Sequence, residues 1–557
     1  MNGFAILLVS LVLFVVAYAT YGAWLCKKWG VDPTRKTPAV EKNDGGDYVP
    51  TSTAVVLGHH FASIAGAGPI TGPINAAFFG WIPVLLWIVI GGIFFGGVQD
   101  FSALFASIRH DGKTIGEVIE QHIGHKCKMI FNVFVYLVLL LVVAAFTDIV
   151  AGTFASVPKA ETEQALASAR SAGSVAMASM CFIPLAVAFG ILQRKNNNLV
   201  INTIVGVALL CGTIYLGIRF PLMNVGKNVW LAVTFAYIFV ASVAPVWILL
   251  QPRDYLNSFL LYAIIILSVV GIGAARPDMT LPAFTGFVVK GQPLFPVLFI
   301  TIACGAISGF HSLIASGTTS KQLRNEGDAK LVGYGGMLIE CALAVIALVA
   351  VGSVRGQELA GAGSGPAAIF ANGIASFVAV IGLPEATSAT VIALAYSAFC
   401  LTSLDTATRL GRMIFQEMFE GFAPSVSKVL GNKYVATAIT IGLSAALTGA
   451  GYQNIWPLFG AANQLVAVPA FLACAVWFKH IGRNNKMFMA PMFFMLAATM
   501  SSLVISFYNN VMKLMQGTGA LGKEGLQCVI IVPVIVLALI ITYDGLKALK
   551  TGKEKVA

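Results

Sequence analysis

Residues 58–73 read GHHFASIAGAGPITGP, and this stretch decides which fold the chain can adopt. It lies in an apolar run, yet three glycines and two prolines fall within residues 66–73. Such a cluster interrupts the hydrogen-bond ladder of a helix. In lipid, an interrupted backbone is tolerated only where protein buries it or where it lines a wet cavity. The stretch therefore predicts a broken membrane helix.

A second stretch, residues 304–320, reads CGAISGFHSLIASGTTS and resembles the first. The letters FASIAG from residue 61 align with FHSLIASG from residue 310 with one residue inserted. The two stretches are seven steps apart in the order of predicted spans, and because the step is odd we expect them to enter the bilayer from opposite sides. Paired, glycine-interrupted segments in opposed halves indicate an inverted-repeat transporter with its substrate site at the breaks. Close helix packing through small residues is the alternative explanation.

The composition excludes most soluble classes of protein. The 557 residues are 58% hydrophobic and only 11% charged, whereas an average soluble protein is about 25% charged. A soluble enzyme, a disordered chain or a nucleic-acid binder would need more polar surface. The nine cysteines are isolated from one another, so their spacing predicts neither a disulfide framework nor a zinc site. Enzyme motifs such as HExxH and GxSxG are absent, and we expect no enzymatic activity and no cofactor.

Fifteen apolar runs are candidates for bilayer-spanning helices, each of which needs about 20 residues. The fold class that they predict is an all-α, polytopic membrane protein with about 15 transmembrane helices. Residues 364–381 are ambiguous, because they suit either a further span or a re-entrant segment. The fifteen runs are 3–25, 52–79, 81–108, 127–156, 172–192, 197–219, 229–250, 254–274, 295–318, 330–352, 383–404, 433–450, 455–478, 487–507 and 527–547.

The basic residues give the predicted orientation. With the N-terminus outside and 364–381 not crossing, few of the 35 Lys and Arg residues fall in outer loops, and the C-terminus lies inside. We expect one transporter domain over 1–557, with the first repeat half at 52–290 and the second repeat half and the C-terminal helices at 291–557. The basic residues predicted outside are Lys159, Arg170, Arg219, Lys227, Arg276, Lys290, Arg355, Lys513 and Lys523. All the others, Arg253, Lys553 and Lys555 among them, are assigned to inner loops or the C-terminal tail.

Polar side chains at the two breaks are the predicted substrate-binding residues. The N-termini of half-helices favour an anionic substrate, and unwound carbonyls favour a cation. Three of the seven histidines lie at the breaks, where substrate binding, proton transfer and hydrogen-bonded packing are all open roles. Contacts between helices explain Asn463 and Gln464 as well as substrate contact does. The predicted substrate-binding residues are His59, His60, Ser63, Gly66, Gly68, Thr71, His311, Ser312, Ser316 and Thr318.

Carboxylates inside apolar runs are the predicted residues for ion or proton coupling, because a charge in lipid is costly and marks function. Asp100, Glu340 and Asp405 are the candidates. An ion pair with Arg409, four residues later, or a helix cap explains Asp405 equally well. Asp148 is expected to face the outer interface.

Four segments resemble the carbon starvation protein A family. They are GHHFASIAGAGPI at 58–70, GGVQDF at 96–101, SGFHSLIASGTT at 308–319 and LTSLDTATRL at 401–410. The resemblance runs from about residue 1 to beyond residue 480. It implies the amino acid–polyamine–organocation superfamily, whose LeuT-like core contains inverted repeats with broken helices. Relatives import peptides during carbon starvation or take up pyruvate with protons, so it implies an importer in the bacterial cytoplasmic membrane.

The expected function is secondary active import of a small carboxylate such as pyruvate, or of short peptides, linked to the response to carbon starvation. Because no ATP-binding module is recognised, a proton or sodium gradient would drive it. The expected partners are the small-molecule substrate and membrane lipid, with no nucleic acid. The alternatives are a sodium-coupled symporter of amino acids or organic acids, a channel, and a nutrient sensor that does not transport.

Overall fold

The computed structural model shows a chain built almost entirely of helices. The two-stranded antiparallel pair β1–β2 is the only sheet in the residues that the structure describes. This confirms the prediction of an all-α membrane protein. Lys159, Lys553 and Lys555, which contribute to the predicted orientation, lie outside the described residues. The described residues are 2–45, 47–156, 163–195, 198–246, 248–420, 424–449 and 452–551.

The part of the chain before the strand pair forms the helices α1 to α13. Five-residue π-helical segments join α1 to α2 and α6 to α7, so each pair forms one continuous helix. The helices are Gly3–Ala17, Ala23–Trp29, Pro38–Glu41, Thr53–Ile64, Gly68–Ala76, Trp81–Gly91, Gly97–Arg109, Ile115–His122, His125–Phe154, Glu163–Lys195, Leu199–Arg219, Lys227–Val243 and Leu250–Ala275.

The strand pair and the helices α14 to α25 complete the fold. Strands β1 and β2 are Val288–Val289 and Gln292–Pro293. A π-helical segment, Lys330–Gly335, leads into α16. The helices are Leu294–Thr301, Gly309–Gly317, Gly336–Gly352, Val354–Gly361, Pro366–Ala379, Glu385–Met418, Pro424–Leu430, Lys433–Thr448, Tyr452–Leu465, Ala467–His480, Lys486–Met515 and Leu526–Thr551.

In the described residues, 11 helices are long and apolar enough to cross a membrane, so the prediction of about 15 is not confirmed. Two of the four remaining runs are the broken segments, which appear as the half-helices α4–α5 and α14–α15. The other two are α12, with 17 residues, and α21, with 16 residues. Hydropathy recognises these runs but does not reveal where a helix is interrupted or ends early.

The apolar side chains are arranged for a lipid environment. On α1, Val9 is 58% exposed and Val15 is 68% exposed, although both are apolar. By contrast, α16 and α23 are buried along nearly their whole lengths. Lipid covers exposed apolar side chains at no cost, whereas water would not. The centre of the molecule is therefore formed by α16 and α23, and α1 faces lipid.

Loop contacts define one end of the molecule, referred to below as the hairpin end. Gly3 N donates a hydrogen bond of 2.8 Å to Pro277 O, and an isolated β-bridge joins Met279 to Ser353. These contacts bring together the start of α1, the loop before β1 and the end of α16. Arg276 and Arg355, which the sequence assigns to outer loops, belong to this end.

The opposite end, referred to as the basic end, carries most of the loops with Lys and Arg. Arg109 Nη2 at the end of α7 lies 2.6 Å from Glu326 Oε1. Lys126 at the start of α9 lies 3.8 Å from Asp544 Oδ2 in the last turns of α25. The start of α1 and the last turns of α25 thus lie at opposite ends of the molecule.

The segment between α16 and α19 both starts and finishes at the hairpin end. α9 begins at the basic end, so its last residues lie at the hairpin end, where Thr153 Oγ1 donates to Ser397 Oγ of α19 at 2.9 Å. α18 has 14 residues, about 21 Å of helix, and a bilayer core is about 30 Å thick. This geometry agrees with the prediction that residues 364–381 do not cross.

The two broken helices run in opposite directions. Before α4, Thr51 N donates to Gln322 O at 2.9 Å, just beyond α15. After α5, Trp81 N donates to Pro282 O at 3.0 Å, in the loop that leads to α14. The first broken helix therefore starts at the basic end and the second at the hairpin end, as predicted. The division into halves 52–290 and 291–557 stays a prediction.

Candidate functional site

The break between α4 and α5 is held by a contact with α19. Ser403 Oγ donates to Ser63 O at 3.1 Å, so the carbonyl of an interrupted turn gains a partner. A Cβ atom at Gly66 would lie 2.6 Å from Ser403 Oγ, so the approach of α19 requires glycine there. Ser63 Oγ lies 3.5 Å from Asp254 Oδ2. The first break therefore leads directly to a buried carboxylate.

The break between α14 and α15 is held by α7 and α22. Gln99 Nε2 donates to Ser308 O at 2.7 Å. Phe310 N donates to Asn463 Oδ1 at 2.9 Å, and Asn463 Nδ2 donates to Ser308 Oγ at 3.0 Å. Gln464 Nε2 donates to a carbonyl of α14 at 2.9 Å. Of the two explanations open for Asn463 and Gln464, these bonds support contact between helices.

The two breaks pack directly against each other. A Cβ atom at Gly68 would lie 2.5 Å from both Cβ and Sγ of Cys304. A Cβ atom at Gly72 would lie 2.9 Å from Thr301 O. Both distances are too short for any residue with a side chain, so glycine is required at the crossing. The backbones of the two breaks are therefore in close contact at this crossing.

Ionisable side chains meet at the second break, on α7, α15 and α16. His311 Nδ1 lies 2.9 Å from Asp100 Oδ2, so a ring N–H donates to the carboxylate. His311 Nε2 lies 3.5 Å from Glu340 Oε2, and all three side chains are fully buried. The sulfur of Cys304 lies within 4.8 Å of the nearest donor atoms of His311 and Glu340. Asp100, Cys304, His311 and Glu340 are referred to below as the His311 cluster.

Several atoms of the His311 cluster have no hydrogen-bond partner among the described residues. They are Asp100 Oδ1, His311 Nε2 and both carboxylate oxygens of Glu340. An unsatisfied buried polar group costs about 1–3 kcal/mol. Among the described residues, no lysine or arginine forms an ion pair with Asp100 or Glu340. The cluster can therefore take up a proton, a cation or a polar group of a ligand.

A second buried group, the Arg253 cluster, lies beside the first break and consists of His59, Tyr237, Arg253, Asp254 and Asp405. The Arg253 guanidinium pairs with Asp405 and also with Asp254, at 3.2 Å. His59 Nδ1 lies 3.0 Å from Asp254 Oδ2, and Tyr237 Oη donates to Asp405 Oδ2 at 2.7 Å. One permanent cation therefore faces two carboxylates, although His59 Nε2, Arg253 Nε and Asp405 Oδ1 are buried without a hydrogen-bond partner among the described residues.

The Arg253 cluster corrects two expectations from the sequence. Asp405 pairs with Arg253 rather than Arg409, whose guanidinium donates to the carbonyl of Ala241 at 3.0 Å. The assignment of Arg253 to an inner loop is wrong, because its side chain is only 1% exposed. Arg253 lies at the start of an apolar run, and its partner Asp405 is 152 residues away in the sequence. Local sequence therefore gives no sign of the ion pair, and Arg253 resembles a loop residue.

The other predicted substrate-binding side chains are buried, and most have partners. His60 Nδ1 lies 2.9 Å from Thr319 Oγ1, and Thr71 Oγ1 lies 3.1 Å from Tyr396 Oη. The hydroxyl groups of α15 and of the residue after it donate to backbone carbonyls three or four residues earlier. In this state they are therefore bonded to the helix backbone. These hydroxyls belong to Ser312, Ser316 and Thr318.

Sequence reasoning missed three members of these clusters. Asp254 follows Arg253 at the start of an otherwise apolar run, and such an adjacent pair of opposite charges is a signal that could have identified both residues. Cys304 lies within the second break, although a single cysteine is usually a packing residue. Tyr237 gives no sequence signal, because tyrosines are common in membrane helices.

A cavity of about 400 Å³ lies at the hairpin end. Its lining includes Gln292, Asn509, Lys513 and Glu524. Ile300 and Thr301, the last residues before α14 is interrupted, also line it. The cavity is therefore partly polar and reaches the end of α14.

Three further histidines form a hydrogen-bonded row at the basic end. His110 Nδ1 lies 2.6 Å from Ala106 O, and because a carbonyl only accepts, this nitrogen donates. His110 Nε2 lies 2.8 Å from His122 Nε2, and His122 Nδ1 lies 3.1 Å from His480 Nδ1. Burial, followed by the neighbouring imidazoles, lowers the pKa of His122 to about 4. The His122 side chain is therefore neutral near neutral pH.

These features define a class, the multi-pass membrane transporters, because interrupted helices and buried charge clusters meet inside an apolar bundle. The crystal structure of the Eremococcus coleocola manganese transporter matches 92% of this chain and 99% of its own, with a TM-score of 0.51 and 11% sequence identity. At that identity, the likeness shows the fold alone.

The chain belongs to the carbon starvation protein CstA family, whose sequence model matches residues 2–362 and 355–502. The peptide transporter CstA of Escherichia coli (strain K12) is 34% identical over 556 residues, with 85% of this chain and 76% of that protein covered. The peptide transporter CstA of Helicobacter pylori (strain J99 / ATCC 700824) is 33% identical over 627 residues, covering 99% and 87%. The pyruvate/proton symporter BtsT of Escherichia coli (strain K12) is 32% identical over 559 residues, covering 84% and 76%.

Proposed function

We propose that this chain is a proton-coupled importer of a small carboxylate such as pyruvate, or of short peptides, in the bacterial cytoplasmic membrane. The names of its relatives, peptide transporter and pyruvate/proton symporter, support both substrate classes. The observation that carries the proposal is the fully buried chain from Asp100 through His311 to Glu340 at the second break. Ionisable groups inside a membrane protein mark the path of an ion or a proton.

In this proposal, His311 and Glu340 share the coupling proton. Asp100 holds the imidazole through Nδ1, so Nε2 faces Glu340 at 3.5 Å. A proton on Glu340 removes one of the two buried negative charges and makes the closed state of the breaks less costly. The other titratable groups near His311 are Cys304 and His60. Loss of the proton restores the charge and favours separation of the breaks.

The substrate carboxylate binds at the two breaks once they have separated. The half-helices α5 and α15 both begin there, so their N-terminal ends and positive dipoles point toward the site. Gly66 and Gly68 allow a ligand to approach the backbone. The 400 Å³ cavity supports access from the hairpin end, where Lys513 attracts an anion. We assign the hairpin end to the outside and the basic end to the cytoplasm, in line with the positive-inside rule.

Protons fit the His311 cluster better than sodium does. The cluster offers an imidazole and two carboxylates at hydrogen-bond or ion-pair distances, and histidine changes its charge near neutral pH. Hard alkali and alkaline-earth cations instead prefer several oxygen ligands around one point. Sodium coupling is therefore treated as the alternative that the uptake experiment has to exclude.

Uptake into proteoliposomes tests the proposal. Wild-type protein should accumulate labelled pyruvate or a labelled dipeptide above the external concentration only when the outside is more acidic than the lumen. Glu340→Gln should lower this accumulation at least about tenfold while preserving exchange of internal for external substrate, because only the coupling proton is lost. The matched control is Glu358→Gln, since the Glu358 side chain is 59% exposed in a surface pair.

Two results would overturn parts of the proposal. Accumulation that needs a sodium gradient and ignores the pH gradient would exclude proton coupling. Absence of both accumulation and exchange for both substrates, with correctly folded protein in the vesicles, would exclude both substrate classes. A rate that never saturates with substrate and never exceeds the external concentration would identify a channel instead.

A further inference from the structure

We propose that Cys304, His311 and Glu340 form a binding site for a soft divalent transition-metal cation of the Zn²⁺ type. The nearest donor atoms of these residues, one sulfur, one nitrogen and one oxygen, all lie within 4.8 Å of one another. All three residues are buried. The spacing of the cysteines predicts no zinc site, because the donors come from the break before α15, from α15 itself and from α16.

The orientation of His311 is the second argument for a metal site. Asp100 Oδ2 accepts from the Nδ1–H of the ring at 2.9 Å. Histidines that bind metals commonly donate their other ring N–H to a carboxylate, which fixes the ring and increases the basicity of the ligating nitrogen. Here the free nitrogen, Nε2, is the one that faces Glu340. The Asp100–His311 pair therefore already has the arrangement that supports a metal ligand.

The unsatisfied atoms provide the third argument. His311 Nε2 and both oxygens of Glu340 are buried without a hydrogen-bond partner among the described residues. A bound cation would give Nε2 and at least one of these oxygens a partner and would compensate the carboxylate charge. The Arg253 cluster also contains unpartnered atoms, but its guanidinium already compensates the charge of its carboxylates.

The donor set selects the class of ion. Mg²⁺ and Ca²⁺ take oxygen ligands, whereas a thiolate and an imidazole suit Zn²⁺, Co²⁺ and related ions. Three protein ligands leave a fourth position open to water. A cation in this position occupies the atoms to which the coupling proton is assigned, so it should inhibit uptake. The inhibition rests on the proposed function, whereas binding of the metal does not.

Cobalt is the probe of choice, because a thiolate ligand gives Co²⁺ a charge-transfer absorption in the near ultraviolet. Purified full-length chain in detergent should bind about one Co²⁺ with this absorption, and Zn²⁺ should displace it. Cys304→Ser should remove the absorption and weaken binding at least about tenfold, because serine is a poor ligand for these ions. The matched control is Cys341→Ser, which is equally buried and adjacent to Glu340 but outside the donor set.

Adventitious binding has a clear alternative location, the row of His110, His122 and His480 at the basic end. His480→Ala should leave the absorption unchanged, and loss of the absorption in this variant or in Cys341→Ser would overturn the proposal. Wild-type protein without the absorption would also overturn it. If Cys304→Ser does not fold, X-ray absorption of the cobalt-bound wild type decides, because it must show one sulfur ligand at about 2.3 Å.

The failure of this proposal and the failure of the proposed function give different results. Uptake driven by a pH gradient with no cobalt absorption contradicts the metal site alone. Cobalt absorption that depends on Cys304, in a protein that transports neither substrate, contradicts the proposed function alone. When both hold, Zn²⁺ that has reached the site should lower uptake at least about tenfold, and a chelator should restore it.

Discussion

The Arg253 cluster and the His311 cluster lie beside the two breaks of one pair of crossing helices, yet their charges are arranged differently. In the Arg253 cluster, a permanent cation pairs with Asp254 and Asp405, and His59 and Tyr237 add a hydrogen bond to each carboxylate. The His311 cluster has two carboxylates, one imidazole and one thiol, with several atoms unpartnered among the described residues.

The difference separates a structural role from a functional role. A permanent cation compensates the charge of the carboxylates beside it, and removing that cation from a buried pair is costly. A cluster without a permanent cation can change its charge, so its energy depends on protonation and on ligands. We therefore assign fixation of the first break to the Arg253 cluster and coupling to the His311 cluster.

The largest effect is expected for Arg253→Ala. The substitution leaves Asp254 and Asp405 buried without their cation, and breaking a buried pair in this way costs about 3–5 kcal/mol. The variant should lose most of its folded protein in detergent, as measured by gel filtration and thermal unfolding. The matched control is Arg355→Ala, because Arg355 is 47% exposed and forms only a surface pair.

A stable Arg253→Ala protein that has lost only transport would contradict the comparison between the clusters. It would mean that the guanidinium contributes to function rather than to folding. Equal loss of folded protein in Arg355→Ala would show that the assay reports any loss of an arginine.

The next largest effect is expected for Asp100→Asn, and it should appear in transport rather than in folding. Without the carboxylate, the orientation and basicity of His311 change, and loss of such a supporting partner reduces activity about 10–100-fold in comparable sites. Initial uptake rates in proteoliposomes measure the loss, and thermal unfolding should change little. The control is Asp148→Asn, whose carboxylate pairs with Lys227 at 2.8 Å outside both clusters. Collapse of folding as severe as that of Arg253→Ala would refute the functional assignment.

Gly68→Ala tests the crossing that lies between the two clusters. The added Cβ atom would lie 2.5 Å from Cys304, so the breaks can no longer close as tightly. Overpacking of this kind costs about 1–3 kcal/mol, and we expect uptake to fall about tenfold. Gly212→Ala is the control, because a Cβ atom at that position meets no atom within 4 Å. Unchanged uptake in Gly68→Ala would show that closure of the crossing is not part of the transport cycle.

The smallest effect is expected from the histidine row, which lies apart from both clusters. Burial lowers the pKa of His122 from 6.5 to about 4, so between these values the folded state binds fewer protons than the unfolded chain. Stability should therefore fall as the pH decreases through this range. Thermal unfolding at several pH values should show a weaker dependence in His122→Gln than in His125→Gln, because His125 is 71% exposed. Equal slopes would contradict this contribution of His122.

Much of this architecture could be predicted from local sequence. The first break is predicted by Gly66, Gly68 and Pro69, because such residues interrupt a helix within an apolar run. Asp100 and Glu340 also stood out individually as charges in apolar surroundings. Local patterns are sufficient for these features because their causes are local.

The pairing of the charges could not be predicted in the same way. His311 is 211 residues from Asp100 in the sequence, and Asp405 is 152 residues from Arg253. Which charge meets which is decided by the packing of whole helices, and no short pattern contains that information. The same limit applies to the number of spans, since α12 and α21 are apolar but end early.

The long sequence separation within each cluster has a consequence for how the protein is made. Asp100 precedes His311 by 211 residues, and His59 precedes Asp254 by 195 residues. Chains fold from the N-terminus as they are synthesised, so α4 and α7 leave the ribosome before their partners exist. A lone aspartate at the centre of a helix adds about 2.5–3.5 kcal/mol to the free energy of insertion. Until α15 is synthesised, the Asp100 carboxyl group of α7 must therefore be protonated or shielded from lipid.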